Sequence, residues 1–242
     1  MGMEKESEEW LDFINALNCF MISQQIIGFY KQIMPPSDLP EDIHVLYPQR
    51  QENVIATIER FYNKYYQDEN TRTLIFGINP GRFGAGVTGI NFTAPKQLTE
   101  NCGIEHCFKL HSELSAEFIY EMIERYGGVE KFYSNFFISS ISPLGFIKNK
   151  VNVNYYDAKN LQESVTPFII DCINRQLEWN VNRNTVFCIG GEKNFKFFSQ
   201  INKRHGWFNK IIPLPHPRFI MQYKRKTKEI YLLKYLDAFS QV

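Results

Sequence analysis

Thr73-Leu-Ile-Phe-Gly-Ile-Asn-Pro-Gly-Arg-Phe-Gly84 decides how this chain reads: an apolar run too short for a helix stops at Asn79-Pro-Gly, where proline and glycine impose a turn. An unbroken apolar run of that length is the mark of a strand buried on both faces. Three more runs repeat the pattern: Phe136-Phe-Ile-Ser-Ser-Ile141 before Ser142-Pro, Thr185-Val-Phe-Cys-Ile189 before Gly190-Gly191, and Lys210-Ile-Ile-Pro-Leu214 before Pro215-His-Pro217. Between them, helical spacing runs from about Ser115 to Tyr126, Asp157 to Trp179 and Glu192 to His205, and a last helix starts near Lys226. Strands alternating with helices predict a three-layer α/β/α fold around a central four-stranded parallel sheet.

Upstream of the first strand, two helices are expected. One covers residues 7 to 32 (Trp10, Phe13, Ile14, Leu17, Phe20, Met21), ends before Pro35, Pro36 and Pro40, and is followed by a second over Gln51 to Tyr66 with Val54, Ile55, Ile58, Phe61 and Tyr62 on one side. The chain therefore reads as one domain over 1–242, with 1–70 a helical elaboration and 71–242 the α/β core. Its 242 residues, 44% hydrophobic with 21 Phe and 13 Tyr, suit one sizeable core and exclude a disordered chain. The five cysteines form no CxxC pair, and Cys102, His106, Cys107 and His111 lack the second half of a metal knuckle, so a reducing, cytoplasmic setting without a metal is expected. The N-terminus MGMEKESEEW is acidic where a targeting peptide is basic, and no apolar stretch is long enough to span a bilayer.

In sheets of this kind, ligands bind beyond the carboxyl ends of the strands. The loop after the first strand carries Gly81, Gly84, Gly86 and Gly89, and Gly84-Ala-Gly-Val-Thr-Gly89 satisfies GxGxxG. A dinucleotide site needs those glycines at the strand end with a helix following at once; here they begin six residues after the strand and Asn91-Phe-Thr-Ala-Pro95 follows. What remains is a backbone-rich loop with Asn79 at its base, which fits either a ligand site or a tight turn that Asn79 caps. His216, between Pro215 and Pro217, is held on stiff backbone, as suits a side chain whose orientation matters, although a satisfied polar residue at a loop edge reads equally well. If the two lie at adjacent strand ends, both face one crevice.

The formal charge of +1, from 27 basic and 26 acidic residues, argues at first against a polyanionic partner. It conceals a segregation. Residues 1–70 hold twelve acids against five bases, a net −7, whereas residues 193–234 hold eleven bases against Glu229 alone, a net +10. The basic stretch surrounds His216 and interleaves with Phe219, Ile220, Met221 and Tyr223, the composition of a segment that neutralises phosphates and presses apolar side chains between bases.

Taken together, Gly77-Ile-Asn-Pro-Gly-Arg-Phe-Gly84 with Thr88-Gly-Ile-Asn-Phe92, Ser142-Pro-Leu144 and His216-Pro-Arg218 resemble the uracil-DNA glycosylase superfamily, and within it the single-strand-selective monofunctional branch in its divergent bacterial form. The resemblance spans roughly residues 70 to 225. It implies that Asn79 positions the attacking water, that Phe92 stacks on a flipped base whose rim meets the loop of Gly81 and Phe83, and that His216 stabilises charge on the base oxygen. It further implies that the segment behind His216, with Arg218, Phe219, Ile220, Lys224, Arg225 and Lys226, enters or grips the DNA. Breaking this glycosidic bond yields a cationic sugar and an anionic base, so a hydrogen-bond donor to the leaving oxygen matters more than a strong nucleophile. No cofactor and no lysine nucleophile are implied. The expected partner is DNA containing deaminated bases, met by a monomer with no membrane attachment.

Two departures stand out. Three residues before Pro143, where the family places an Asn to read the base edge, stands Ser140, whose hydroxyl is shorter and rotates; this points to a wider base range including xanthine and hypoxanthine, with Asn135 as a fallback reader. It also keeps open a non-catalytic nucleic-acid-binding protein of the same fold. The last motif continues as Phe219-Ile-Met-Gln-Tyr223 instead of a Ser-Pro-rich loop, so Phe219 and Ile220 fit a DNA wedge or a helix start and core equally.

Overall fold

The structure is a computed structural model that describes residues 21–242; the helical stretch expected over residues 7 to 20 lies outside them. In chain order the strands are β1 (His44–Leu46), β2 (Thr73–Gly77), β3 (Phe136–Ser140), β4 (Gly145–Lys148), β5 (Val151–Val153), β6 (Thr185–Ile189) and β7 (Lys210–Leu214). Four of them form the expected parallel sheet, in the order β3-β2-β6-β7. β2 and β3 are buried at every residue, so their apolar residues run without alternation, and Ser139 and Ser140 end β3 as buried polar residues.

Successive side chains point to opposite faces of the sheet, and the aromatic residues show the two outer layers. Phe76 and Phe137 face one side, where Phe198 (ring centroids 5.3 Å) and Trp179 (5.2 Å) meet them; Phe136 and Phe187 face the other, against Phe239 at 4.8 and 4.7 Å. Phe198 lies on the helix Glu192–His205 and Phe239 on Lys228–Phe239, both matching the expected helices to within two residues, while Trp179 lies in the bend before β6. The helix Leu114–Tyr126 matches as well, and the crossover before β6 is Lys159–Gln176, slightly shorter than its periodicity.

The N-terminal helices Ile22–Gln32 and Glu52–Tyr65 bury Ile22, Ile26, Ile27, Phe29 and Tyr30, and Val54, Ile58, Phe61, Tyr62 and Tyr65, the spacing of one helical face. The second docks on the sheet, where Tyr62 meets Phe137, and the first packs on the second through Tyr30 and Tyr62 and meets Trp179 through Phe29. Arg72, with no exposed surface, ties the second helix to the start of β2 by pairing with Asp68 and donating to the Tyr65 and Tyr133 carbonyls.

Two expectations are corrected. The segment 1–70 is not only helical, because β1 pairs antiparallel with β4, and β4 with β5, in a second sheet that strands of three or four residues do not announce by alternation. The ends of β2 and β7 are not adjacent either, since β6 lies between them. They still share a crevice, because β6 stops at Ile189 and turns at Gly190 into the helix Glu192–His205, and none of its residues lines the pocket.

Candidate active site

Beyond the carboxyl ends of β2 and β3 lies a pocket of about 390 Å³ lined by Asn79, Gly81, Phe83, Asn91, Phe92, Ser140 and His216, among others. Sheet register sets part of this directly: Gly77, two residues before Asn79, is paired with Ser140. Phe92 closes the floor. Its φ of 53° is in the left-handed region, unusual for a bulky residue, and its ring lies so close to Gly77 that a Cβ there would come within 3.0 Å. A side chain at position 77 would press on the Phe92 ring, which would have to give way by a few tenths of an ångström.

Asn79 is immobilised by groups that the motifs do not show. Its Oδ1 accepts from the Tyr155 N–H at 3.1 Å and its Nδ2 donates to the Val153 carbonyl at 3.3 Å, so the stretch leaving β5 orients the carboxamide. The same hairpin reaches the glycine loop: Asn152 Oδ1 accepts from the Arg82 N–H at 3.2 Å, and the Arg82 guanidinium donates to the Lys150 carbonyl. Gly145 has the matching role at the start of β4, where a Cβ would stand 2.3 Å from the Pro80 carbonyl. His111 Nε2 lies 2.6 Å from the Phe83 carbonyl on the loop's outer side. Phe83 itself is 48% exposed at the pocket mouth, with the Arg82 guanidinium 4.7 Å over its ring.

His216 caps the helix Pro217–Tyr223, its Nδ1 accepting from the Arg218 N–H at 3.1 Å. An acceptor at Nδ1 places the proton of a neutral imidazole on Nε2. Burial, reinforced by the Arg218 charge, lowers the pKa to about 4, so the ring is neutral at physiological pH. The buried Tyr235 hydroxyl donates to the Pro215 carbonyl and anchors the backbone from below. The ring centroids of His216 and Phe92 are 5.9 Å apart. Glu113, the acid among the lining residues, is occupied as the N-cap of Leu114–Tyr126, accepting from the Ala116 N–H at 3.0 Å.

The basic segment divides. Arg218, Lys224, Arg225 and Lys226 are exposed, and none makes an ion pair among the described residues, whereas Lys228 is paired with Glu121. Phe219 is 44% exposed and lies one helical turn from Tyr223, 72% exposed, with ring centroids 5.7 Å apart and the rings tilted; both line the pocket. Ile220 does not belong with them. It has no exposed surface and packs in the core, because the helix Pro217–Tyr223 turns it away from Phe219, so it is no wedge. Asn135 is also excluded as a reader: it precedes β3, at the opposite end from Ser140, and its amide donates to Tyr126 and to the Lys131 carbonyl.

An α/β sheet whose strand ends combine a fixed carboxamide, an aromatic ring and a neutral imidazole is the arrangement of a hydrolytic glycosylase site, and the comparisons give the class. The chain belongs to the uracil DNA glycosylase superfamily, whose family model matches residues 63–240. A solved structure described as "The crystal structure of WT Pedobacter heparinus SMUG2" is 45% identical, covers 91% of this chain and 97% of that chain, and superposes with a TM-score of 0.88. A comparison with curated proteins found no match. The family match begins within the helix Glu52–Tyr65, so the helix Ile22–Gln32 precedes it.

Proposed function

We propose that this glycosylase flips a deaminated base, uracil above all, out of DNA and hydrolyses its N-glycosidic bond, leaving an abasic site in an uncut strand. The observation that carries the reading is the placement of His216: a neutral imidazole with its proton on Nε2, in the same pocket as Asn79 and beside the Phe92 ring. As the bond to the sugar lengthens, negative charge gathers on the base oxygen, and a preoriented N–H donor stabilises that charge more than it stabilises the bound ground state. The nearby Arg218 charge acts in the same direction.

Asn79 is neutral and does not need to be a base. With one Oδ1 lone pair taken by the Tyr155 N–H, the other is left to orient water toward a sugar cation reactive enough to capture it. Among the described residues no lysine lines the pocket, which supports hydrolysis without strand cleavage. Extruding the base costs a few kcal/mol, offset by stacking on Phe92 and by Phe219 and Tyr223 at the lip. Ser140 in place of the family's Asn extends the proposal to xanthine and hypoxanthine. The test is a panel of end-labelled oligonucleotides carrying uracil, xanthine, hypoxanthine or mismatched thymine, treated with alkali after incubation. Alkali-sensitive sites at uracil, lost in Asn79→Ala, are expected; DNA that is bound but left intact would make the protein a binder of damaged DNA.

A further inference from the structure

The place of the family's base reader holds a hydroxyl, yet an amide stands beside it from another loop. Asn91, next to Phe92, is 6% exposed and lines the pocket. Ser140 Oγ donates to its Oδ1 at 2.6 Å, a length typical of O–H···O rather than N–H···O and so in keeping with the oxygen facing Ser140. On the other side its Nδ2 reaches the Tyr30 hydroxyl at 3.4 Å. Tyr30, 1% exposed, comes from the helix Ile22–Gln32, which precedes the family match, and is hydrogen-bonded in turn to Tyr62.

We infer that Asn91 reads the polar edge of the flipped base, with Ser140 and Tyr30 as positioning residues that fix which way its carboxamide faces. The inference rests on the glycosylase reading. A carboxamide has two acceptor lone pairs and two N–H donors. Ser140 occupies one lone pair and Tyr30 one N–H, which leaves one acceptor beside one donor for the pocket. That pair complements an N–H beside a carbonyl: N3–H and O4 in uracil, N1–H and O6 in xanthine and hypoxanthine. Cytosine and adenine present a ring nitrogen beside an amine, the reverse order, and would set donor against donor. Guanine shares the deaminated pattern, so Asn91 separates the deaminated bases from cytosine and adenine only. The N-terminal helix thus has a role at the site besides covering the sheet: it holds the reader from behind.

The experiment pairs enzyme variants with an altered base. Single-turnover excision is measured on oligonucleotides carrying uracil or 2-pyrimidinone, which keeps the ring and O2 but lacks N3–H and O4, for wild type, Asn91→Ala, Ser140→Ala and Tyr30→Phe. Because every enzyme faces the same two bases, intrinsic leaving-group differences cancel in the comparison of ratios. Asn91→Ala should reduce the preference for uracil on the order of tenfold to a hundredfold, and Tyr30→Phe and Ser140→Ala by roughly threefold to tenfold, with affinity for abasic-site DNA unchanged. Where Asn91→Ala does not fold, Asn91→Asp, which keeps the size but loses the donor, decides the same point. A wild-type preference retained in the Asn91 variant overturns the inference while leaving the glycosylase reading intact. A preference retained in both Tyr30→Phe and Ser140→Ala overturns their positioning role. Absence of uracil release by the wild type defeats the glycosylase reading itself.

Discussion

Lowering the pH should cost this protein stability and activity through one side chain, His216. Its pKa of about 4, against 6.5 for a free imidazole, corresponds to roughly 3 kcal/mol in favour of the neutral ring. Because the folded-state value is depressed, the unfolded chain binds the extra proton first as pH falls below 6.5. The stabilising contribution is complete above pH 6.5 and is lost progressively down to about pH 4. That is a large share of the 5–15 kcal/mol that holds a typical domain together. In His216→Gln the side chain does not titrate, while the carboxylates stay the same in both proteins and cancel in the difference. Urea unfolding at pH 7 and pH 4.5 should therefore show wild type losing about 2–3 kcal/mol more than the variant between the two pH values. Excision by wild type should be flat from pH 8 to about 5.5 and decline toward an apparent pKa near 4. His216→Ala, which removes the donor, should lower the excision rate about 10²–10³-fold at pH 7, and the gap should narrow as the wild type declines toward pH 4. An excision profile that turns over between pH 6 and 7, with an equal stability loss in wild type and His216→Gln, would refute the reasoning: the ring would then be charged at neutral pH.

Replacing Lys224, Arg225 and Lys226 by Gln should flatten the plot of log K against log salt by about 0.9 for each duplex phosphate that is no longer neutralised, read by fluorescence anisotropy; an unchanged slope would place these cations off the DNA. Gly145→Ala pushes a methyl group into the Pro80 carbonyl and should displace Asn79, lowering excision while DNA affinity measured in the same assay is retained. Phe219→Ala and Ile220→Ala should separate cleanly: the first leaves the melting temperature unchanged and slows excision from duplex DNA, and the second costs roughly 2–5 kcal/mol of stability as a core truncation. The reverse result would mean that the helix Pro217–Tyr223 is turned about its axis, with Phe219 inward and Ile220 toward the DNA.

The parts of the fold that are legible in the sequence are those with a strong local cause. Continuous apolar runs mark β2, β3 and β6, because strands buried on both faces are filled mainly by apolar side chains, while β7, a half-exposed edge strand, is marked by its short apolar run before Pro-His-Pro. The strands β1, β4 and β5 are hidden because three or four half-exposed residues carry no period, and pairing between residues as distant as Val45 and Phe146 leaves no trace in composition. The site follows the same division. Asn79, Phe92 and His216 stand out by their motifs, but the groups that hold them, the Tyr155 and Arg218 N–H and the Val153 carbonyl, are backbone, which any residue supplies. Ile220 is misread from sequence for a related reason: interleaved bases and apolar residues look alike whether the apolar ones face DNA or the core, and only the helical turn from Phe219 to Ile220 distinguishes them.

Charge, too, has to be resolved into places. A sum of +10 over residues 193–234 overstates the grip on DNA, because Lys196 is paired with Glu192 and Lys228 with Glu121, and screening at physiological salt confines an exposed charge to about 8 Å. The cations that count are those with no ion-pair partner among the described residues on the turn around the pocket: Arg218 at the start of the helix that His216 caps, and Lys224, Arg225 and Lys226 just beyond its end. Four such cations set a ceiling of about 3.6 on their joint share of the salt slope. Inside the pocket the logic reverses. His216 is neutral, Asn79 is neutral and Glu113 is tied to a helix N-terminus, so on the proposed reading the base meets oriented dipoles at the floor, with the Arg218 charge also in the lining. On that reading a preoriented N–H acts most strongly while charge is developing on the base. On the proposed reading, cations at the lip and dipoles at the floor therefore divide the work: the first hold the DNA backbone, and the second act on the base.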